Sequence, residues 1–188
     1  MANQTFQFKI EIDGIISPAV WRRLTVPGNF SFHKFHQVIQ AAFGWTDSHI
    51  HEFFVQGRQN QWVIADPASM PETEFKNSRT YRLRDYFGNV GDELIYLYDF
   101  GDHWDHVIKV ENIFTALQKK AACLDGGGKC PPEDVGSIPG FEEFKKAVNE
   151  PSHPEYKSMR KWAGVSKGKI WDPEEFDLVV TDQKVKGI

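Results

Sequence analysis

Apolar and polar positions alternate from Phe6 to Ile12: Phe6, Phe8, Ile10 and Ile12 are separated by Gln7, Lys9 and Glu11. A period of two puts the apolar set on one face, so the stretch reads as a half-buried strand. Asp13-Gly14 and Ser17-Pro18 mark a turn region. Val20–Val26 reads as a second strand, with Val20, Leu24 and Val26 on one side and Trp21, Arg23 and Thr25 on the other. So short a link predicts an antiparallel pair. The period then changes. Ser31 offers an N-cap, Phe32, Phe35, Ile39 and Ala42/Phe43 recur at helical spacing, and Gly44 stands where a C′ glycine belongs. This predicts a helix over Phe32–Phe43, its aromatic stripe packed on the first hairpin. His49–Gln56 follows as a third strand, with His49, His51, Phe53 and Val55 on one face. Gln61–Ala65 is a short fourth strand, Asp66–Ser78 a loop, and Thr80–Phe87 a short helix.

Leu94–Phe100 and Trp104–Val110 read as the two strands of a second hairpin around Gly101-Asp102. A two-residue turn with Gly101 at positive φ would pair Asp99 with Trp104, Tyr98 with Asp105 and Leu97 with His106. Asp99 and His106 would then be diagonal neighbours on a mostly apolar face. A partly desolvated carboxylate and imidazole there need each other, a metal or water; the plain structural alternative is an Asp99–His106 hydrogen bond that pins the hairpin. Beyond Glu111 the pattern turns helical: Phe114–Ala122, Phe141–Val148, Glu155–Ala163, and a helix opened by Asp172-Pro173-Glu174-Glu175. Between the first two of these, residues 123–130 read as a glycine-rich loop. Strands followed by helices make an α+β pattern, a mixed or antiparallel sheet with a helix packed across it. The order hairpin, helix, strands is β-grasp-like by analogy alone. One domain over residues 1–188 is expected, with a strand-rich core at 5–111 and a helical extension at 112–188.

Composition narrows the function classes. A chain of 188 residues has room for one substantial core, and 40% hydrophobic with 26% charged residues is ordinary for a soluble protein. The net charge of −4 argues against a general polyanion binder and leaves no strong nucleic-acid footprint. Arg22-Arg23 and Arg79/Arg82/Arg84 are local basic spots, of the kind that snorkel or face solvent. There is no long apolar run and no signal-like pattern at Met1–Thr5, so neither a membrane span nor export is expected, and a cytoplasmic protein is. Two cysteines then point to free or metal-bound thiols in a reducing compartment.

Three groups could carry chemistry. His49, His51, Asp99, Asp102 and His106 offer two or three imidazoles and carboxylates on strands, a donor set for Zn²⁺, Mn²⁺ or Fe²⁺ with positions open to water. Hydrogen-bonded histidines inside an aromatic sheet are the bland alternative. Cys123 and Cys130, with Asp125 between them and Glu133-Asp134 after, lack a second cysteine pair for a structural zinc site; a rigid Pro-Pro turn with Cys130 buried is the favoured reading. Nucleophilic catalysis has no G-x-S-x-G elbow, and Gly126-Gly127-Gly128-Lys129 lacks the spacing of a phosphate-binding loop.

The ordered motifs SPAVWRRLTVP, FHKFHQVIQAAFGW, HIHEF, YLYDFGDHWDH, CPPEDVG and WDPEEFD make the chain resemble the plasmid pRiA4b ORF-3-like proteins from Phe6 to Asp177. A transposon passenger protein labelled as a resolvase shares that domain. The resemblance implies an association with mobile elements and supplies no established reaction, substrate or catalytic residue. The chain departs from the family pattern at Ser137, which follows Gly136 where glycine is frequent. Two functions follow from the residues. The leading one is a non-catalytic interaction module that holds a protein or peptide partner through Tyr98, Asp99, Asp102, Trp104 and His106. The alternative is a metal-dependent hydrolase, acting on a phosphoester or similar bond, with His49, His51, Asp99 and His106 as ligands.

Overall fold

A computed structural model of the chain describes residues 4–55, 63–68, 75–115 and 118–188. Strands β1 (Gln4–Ile16) and β2 (Ala19–Pro27) form the first hairpin, followed by helix α1 (Phe32–Phe43). Then come β3 (His51–Phe54), β4 (Ile64–Ala65), β5 (Lys76–Asn77), the one-turn α2 (Leu83–Tyr86), β6 (Glu93–Tyr98), β7 (Trp104–Thr115) and β8 (Ala122–Gly127). Helices α3 (Ser137–Asn149), α4 (Tyr156–Trp162) and α5 (Leu178–Lys186) complete the described elements. The sheet order is β5-β4-β3-β6-β7-β1-β2-β8. Its pairings are antiparallel except β4 with β5, which are parallel.

The alternation in β1 sets the buried face: Phe6, Phe8, Ile10 and Ile12 are at most 1% exposed. Helix α1 covers that face. Ser31 caps it by accepting from Lys34 N, and Gly44 closes it in the left-handed region at φ 88°. Its aromatic stripe crosses several strands, with Phe35 at 5.0 Å from Phe8, Phe32 at 5.1 Å from Phe53 and Phe43 at 4.9 Å from His106, centroid to centroid. Phe141, Phe144, Val148, Trp171 and Val185 belong to the same hydrophobic cluster as the sheet.

The expected helix over Phe114–Ala122 is replaced by strand at both ends. β1 reaches back to Gln4 and holds Phe114 and Thr115 in the ladder, and Ala122 already pairs with Thr25; 116–117 lie outside the described residues. The expected glycine-rich loop is likewise strand as far as Gly127. Its glycines serve close ring approach, since a Cβ on Gly126 would stand 2.6 Å from the Phe176 ring and one on Gly127 2.9 Å from the Trp21 indole. The outer edge of β8 is covered by α5, whose Asp182 carboxylate accepts from Cys123 N at 3.0 Å.

The helix expected from Asp172 does not form there. Asp172 caps only a turn, accepting from Glu174 N, and α5 starts at Leu178 with Asp177 as N-cap. Trp171, tied to Asn149 by two hydrogen bonds, and Phe176 pin this segment to the body before it can wind. Part of the expected strand at Gln61–Ala65 and of the loop at Asp66–Ser78 lies outside the described residues.

Arg22 also departs from expectation, being 4% exposed. Its Nε donates to Ala42 O, its Nη1 to the carbonyls of Trp21, Gly127 and Gly128, and its guanidinium lies between the Phe43 and Phe176 rings. Carbonyl acceptors and two ring faces make up for the water it has lost. Among the described residues, no helix is long and apolar enough to cross a membrane.

Candidate functional site

Three loops meet at one end of the sheet: residues 44–50 between α1 and β3, 99–103 between β6 and β7, and 128–136 between β8 and α3. The second was expected to be a two-residue turn and is longer. Tyr98 pairs with Trp104, Leu97 with Asp105 and Tyr96 with His106, one residue away from the expected register. A one-residue slip changes faces: Leu94, Tyr96 and Tyr98 share the core side with Trp104, His106 and Ile108. Positive φ falls on Asp99 (59°) and His103 (60°), not on Gly101. Asp99 tolerates it because its Oδ1 accepts from Gly101 N at 2.8 Å, an Asx turn, while its carbonyl accepts from His103 N. Asp102 Oδ2 accepts from Gly136 N, tying this loop to the start of α3.

The slip separates Asp99 from His106. Asp99 turns to His49, which precedes β3 instead of lying in it. His49 Nε2 stands 3.2 Å from Asp134 Oδ1, 3.6 Å from Asp99 Oδ2 and 3.8 Å from Glu133 Oε2, and this buried nitrogen has no hydrogen-bond partner. Glu133 is held from the opposite side: Thr46 N and the Tyr98 hydroxyl donate to its Oε1 at 2.9 and 3.1 Å. Tyr98 in turn accepts from Ser48 N. Burial and the neighbouring Glu133 push the Tyr98 phenol well above its usual pKa, so it remains a donor at neutral pH. Asp47 (φ 57°), Asp99, His103, Asp134 (φ 57°) and Ser137 (φ 64°) all sit in the left-handed region. Five non-glycine residues are thus held in a costly conformation within or beside one group of loops, the kind of local strain that collects at functional sites.

His51, two residues on, belongs to a different group. Its ring lies flat on that of His36, centroids 3.5 Å apart and planes 3° from parallel. His36 is fully engaged: Asp47 can only accept, so Nε2 carries the proton and donates to it at 2.8 Å. Nδ1 is left to accept from the Tyr96 hydroxyl, also at 2.8 Å, and Gln40 donates to Tyr96. His51 Nε2 is buried and unpartnered. His36, Asp47 and His51 present ligand atoms close together. An ion must lie near the plane of each imidazole that binds it, and no point lies in the planes of two rings stacked face to face. Burial pulls the pKa of both rings down to about 3.

His106 is not at the loops at all. It is 0% exposed, its Nδ1 donates to the carbonyls of Trp104 and Tyr96, and the Phe43 and Trp45 rings meet it edge to face. Burial lowers its pKa to about 4. Trp104 is equally buried, beside Trp45. The two cysteines are free thiols; Cys123 is buried on β8 and Cys130 half-buried after it. The structure therefore brings His49 and Asp99 together, keeps Tyr98 and Asp102 beside them, and sends His51, His106 and Trp104 into the core. Sequence reasoning placed Glu133 and Asp134 with the cysteines and missed their place opposite His49. No spacing in the sequence links them to His49; the pairing of β8 with β2 brings the 128–136 loop there.

A model of the plasmid pRiA4b ORF-3-like protein family matches residues 4–180. The chain is 34% identical over 172 residues to uncharacterized protein y4hQ of Sinorhizobium fredii (strain NBRC 101917 / NGR234), covering 88% of this chain and 84% of that protein. It is also similar to the crystal structure of MM3350, a protein of unknown function from Methanosarcina mazei Go1. That likeness has a TM-score of 0.79 at 30% identity and spans 96% of this chain and 97% of the other.

Proposed function

The chain belongs to the plasmid pRiA4b ORF-3-like family, and we propose that it is a divalent-cation-dependent hydrolase centred on His49, Asp99, Glu133 and Asp134. The observation that supports this is the unpartnered His49 Nε2 facing three carboxylates at 3.2–3.8 Å. Most of those separations are too long for hydrogen bonds. Donors about 2.1 Å from a cation stand roughly 3.0–3.4 Å apart, so Asp134 fits a shared ion with His49 as placed, Asp99 comes close to it, and Glu133 stands farther out, beside the ion site. One imidazole with hard oxygens suits Zn²⁺, Mn²⁺ or Fe²⁺. An ion held by His49, Asp99 and Asp134 would supply an acidified water and polarise a phosphoester or acyl oxygen; Glu133 would act as the general base toward that water and return the proton to the leaving oxygen. Tyr98 keeps Glu133 in place for this exchange.

The test is metal binding followed by turnover. Untagged protein titrated calorimetrically with Mn²⁺ and Zn²⁺ should bind one ion per chain, and Asp99→Asn and His49→Gln should each weaken binding by tenfold or more. Asn keeps the Asx turn and tolerates the positive φ of Asp99, so Asp99→Asn should stay folded. Wild type with the preferred ion should then cleave bis(p-nitrophenyl) phosphate or p-nitrophenyl acetate. Failure to bind any of these ions would end the proposal.

A second reading, a non-catalytic interaction module, draws on Ile50 and Phe100, exposed by 45% and 40% on the loops that carry His49 and Asp99. It predicts no turnover and loss of partner capture in Ile50→Ser/Phe100→Ser.

A further inference from the structure

Helices α3 and α4, with the loop ahead of α3, line a cavity of about 350 Å³. Its apolar lining is Val135, Phe144, Ala147, Met159 and Trp162. Phe144 and Trp162 meet edge to face at 5.7 Å, forming an aromatic corner, and Trp162 remains 49% exposed there. Three carboxylates complete the wall: Asp134, Glu143 and Glu155. No lysine, arginine or histidine is among the described lining residues. Glu143 is partly neutralised by His153 Nε2 at 2.9 Å and Lys146 at 3.8 Å, and Asp134 faces His49. Glu155 has no side-chain partner among the described residues, and Arg160 of the same helix is turned away to the carbonyls of Val148, Ser166 and Lys169.

An apolar floor, an exposed indole and an unneutralised carboxylate form a combination with one natural complement. A cation is drawn to a ring face and to a carboxylate, while an attached hydrocarbon body fills the floor. The volume is at the small end of ligand pockets. That size suits a free molecule better than a macromolecular surface. We infer that the α3–α4 cavity is a binding site for a small organic ammonium compound, its charged nitrogen between Trp162 and Glu155 and its apolar body against Phe144, Ala147 and Met159. The inference stands apart from the hydrolase reading, because these residues hold the ligand without an ion.

The experiment compares 2-phenylethylammonium with its neutral isostere 2-phenylethanol, by calorimetry or protein-detected NMR on the full chain in the presence of a chelator. The ammonium compound should bind at least about fivefold more tightly, the discrimination expected of one cation–π contact with carboxylate support. Glu155→Gln, an exposed change that leaves folding alone, should remove most of that difference without affecting the alcohol. Trp162→Ala should abolish binding and Trp162→Phe should retain part of it. Equal affinity for the two compounds would overturn the inference, as would indifference to both Glu155→Gln and Trp162→Ala. Binding that requires a divalent ion would move the ligand to the His49 centre, and a lysine peptide that binds more tightly than the small amine would reassign the cavity to a protein partner; either result overturns the assignment.

Discussion

Acidification from pH 7 to pH 5 should cost this protein much of its stability through three buried imidazoles. His36 and His106 are 0% exposed and His51 is 6% exposed. Burial holds His36 and His51 near pKa 3 and His106 near 4, against an ordinary value of 6.5. The groups facing them cannot offset this: His36 meets Tyr96, His51 and the half-exposed Asp47, and His106 meets rings and two carbonyls. Above pH 6.5 each is neutral whether folded or not, and their neutrality costs nothing. As pH falls below 6.5 the unfolded chain takes up three protons that the folded chain refuses, so stability is lost down to pH 3–4 and levels off there. At pH 5 the loss is about 2 kcal/mol for each ring and roughly 6 kcal/mol for three, by linkage at 1.36 kcal/mol per pH unit. That is comparable to the whole stability of an ordinary domain. Urea unfolding with chelator at half-unit steps from pH 7 to 5 measures it directly. A total loss below about 2 kcal/mol, one ring's worth, would refute the reasoning and mean that these rings are protonated or hydrated in the fold.

Other consequences are checked as simply. Burial raises the thiol pKa of Cys123 to about 11 and that of Cys130 further still, so a thiol reagent at pH 8 should react slowly with native protein and rapidly with two thiols in denaturant; fast native labelling would contradict the burial. Arg22→Met should destabilise by about 2–4 kcal/mol in urea unfolding, because it strands several buried carbonyls, and a change under 1 kcal/mol would mean that water replaces the guanidinium. Asp99→Ala should cost about 2 kcal/mol by the same assay, through left-handed strain and the lost Gly101 bond, with Asp99→Gly recovering the first part; equal costs would refute that division.

The first hairpin and α1 were legible because period and punctuation agree there: Phe6–Ile12 alternates, Ser31 caps and Gly44 stops. The central strands were legible too, but their register was not. An Asp at left-handed φ, stabilised by its own carboxylate, adds residues to a turn that Gly101 alone suggested would be tight. That displacement is enough to move His106 into the core and leave Asp99 to a loop histidine. Residues 122–127 hid their strand because glycine is a poor strand former; the need for it lies in Phe176 and Trp21, rings distant in sequence. Glu133 and Asp134 could not be linked to His49 by spacing, since β8 and its pairing with β2 deliver them. Local signals thus carried the elements, while contacts between distant segments decided which side chains met.

The contact between Asp182 and Cys123 N also bears on how the chain is made. β8 completes the sheet on one side, and its outward amides are an invitation to any other strand until α5 covers them. That cover is translated late: β8 ends at Gly127 and α5 begins only at Leu178. A nascent chain that formed its sheet before α5 was made would leave the β8 border open while α3 and α4 were still emerging. Neighbouring chains on one message would then present the same border to one another until α5, with Asp182 on the Cys123 amide, closed it.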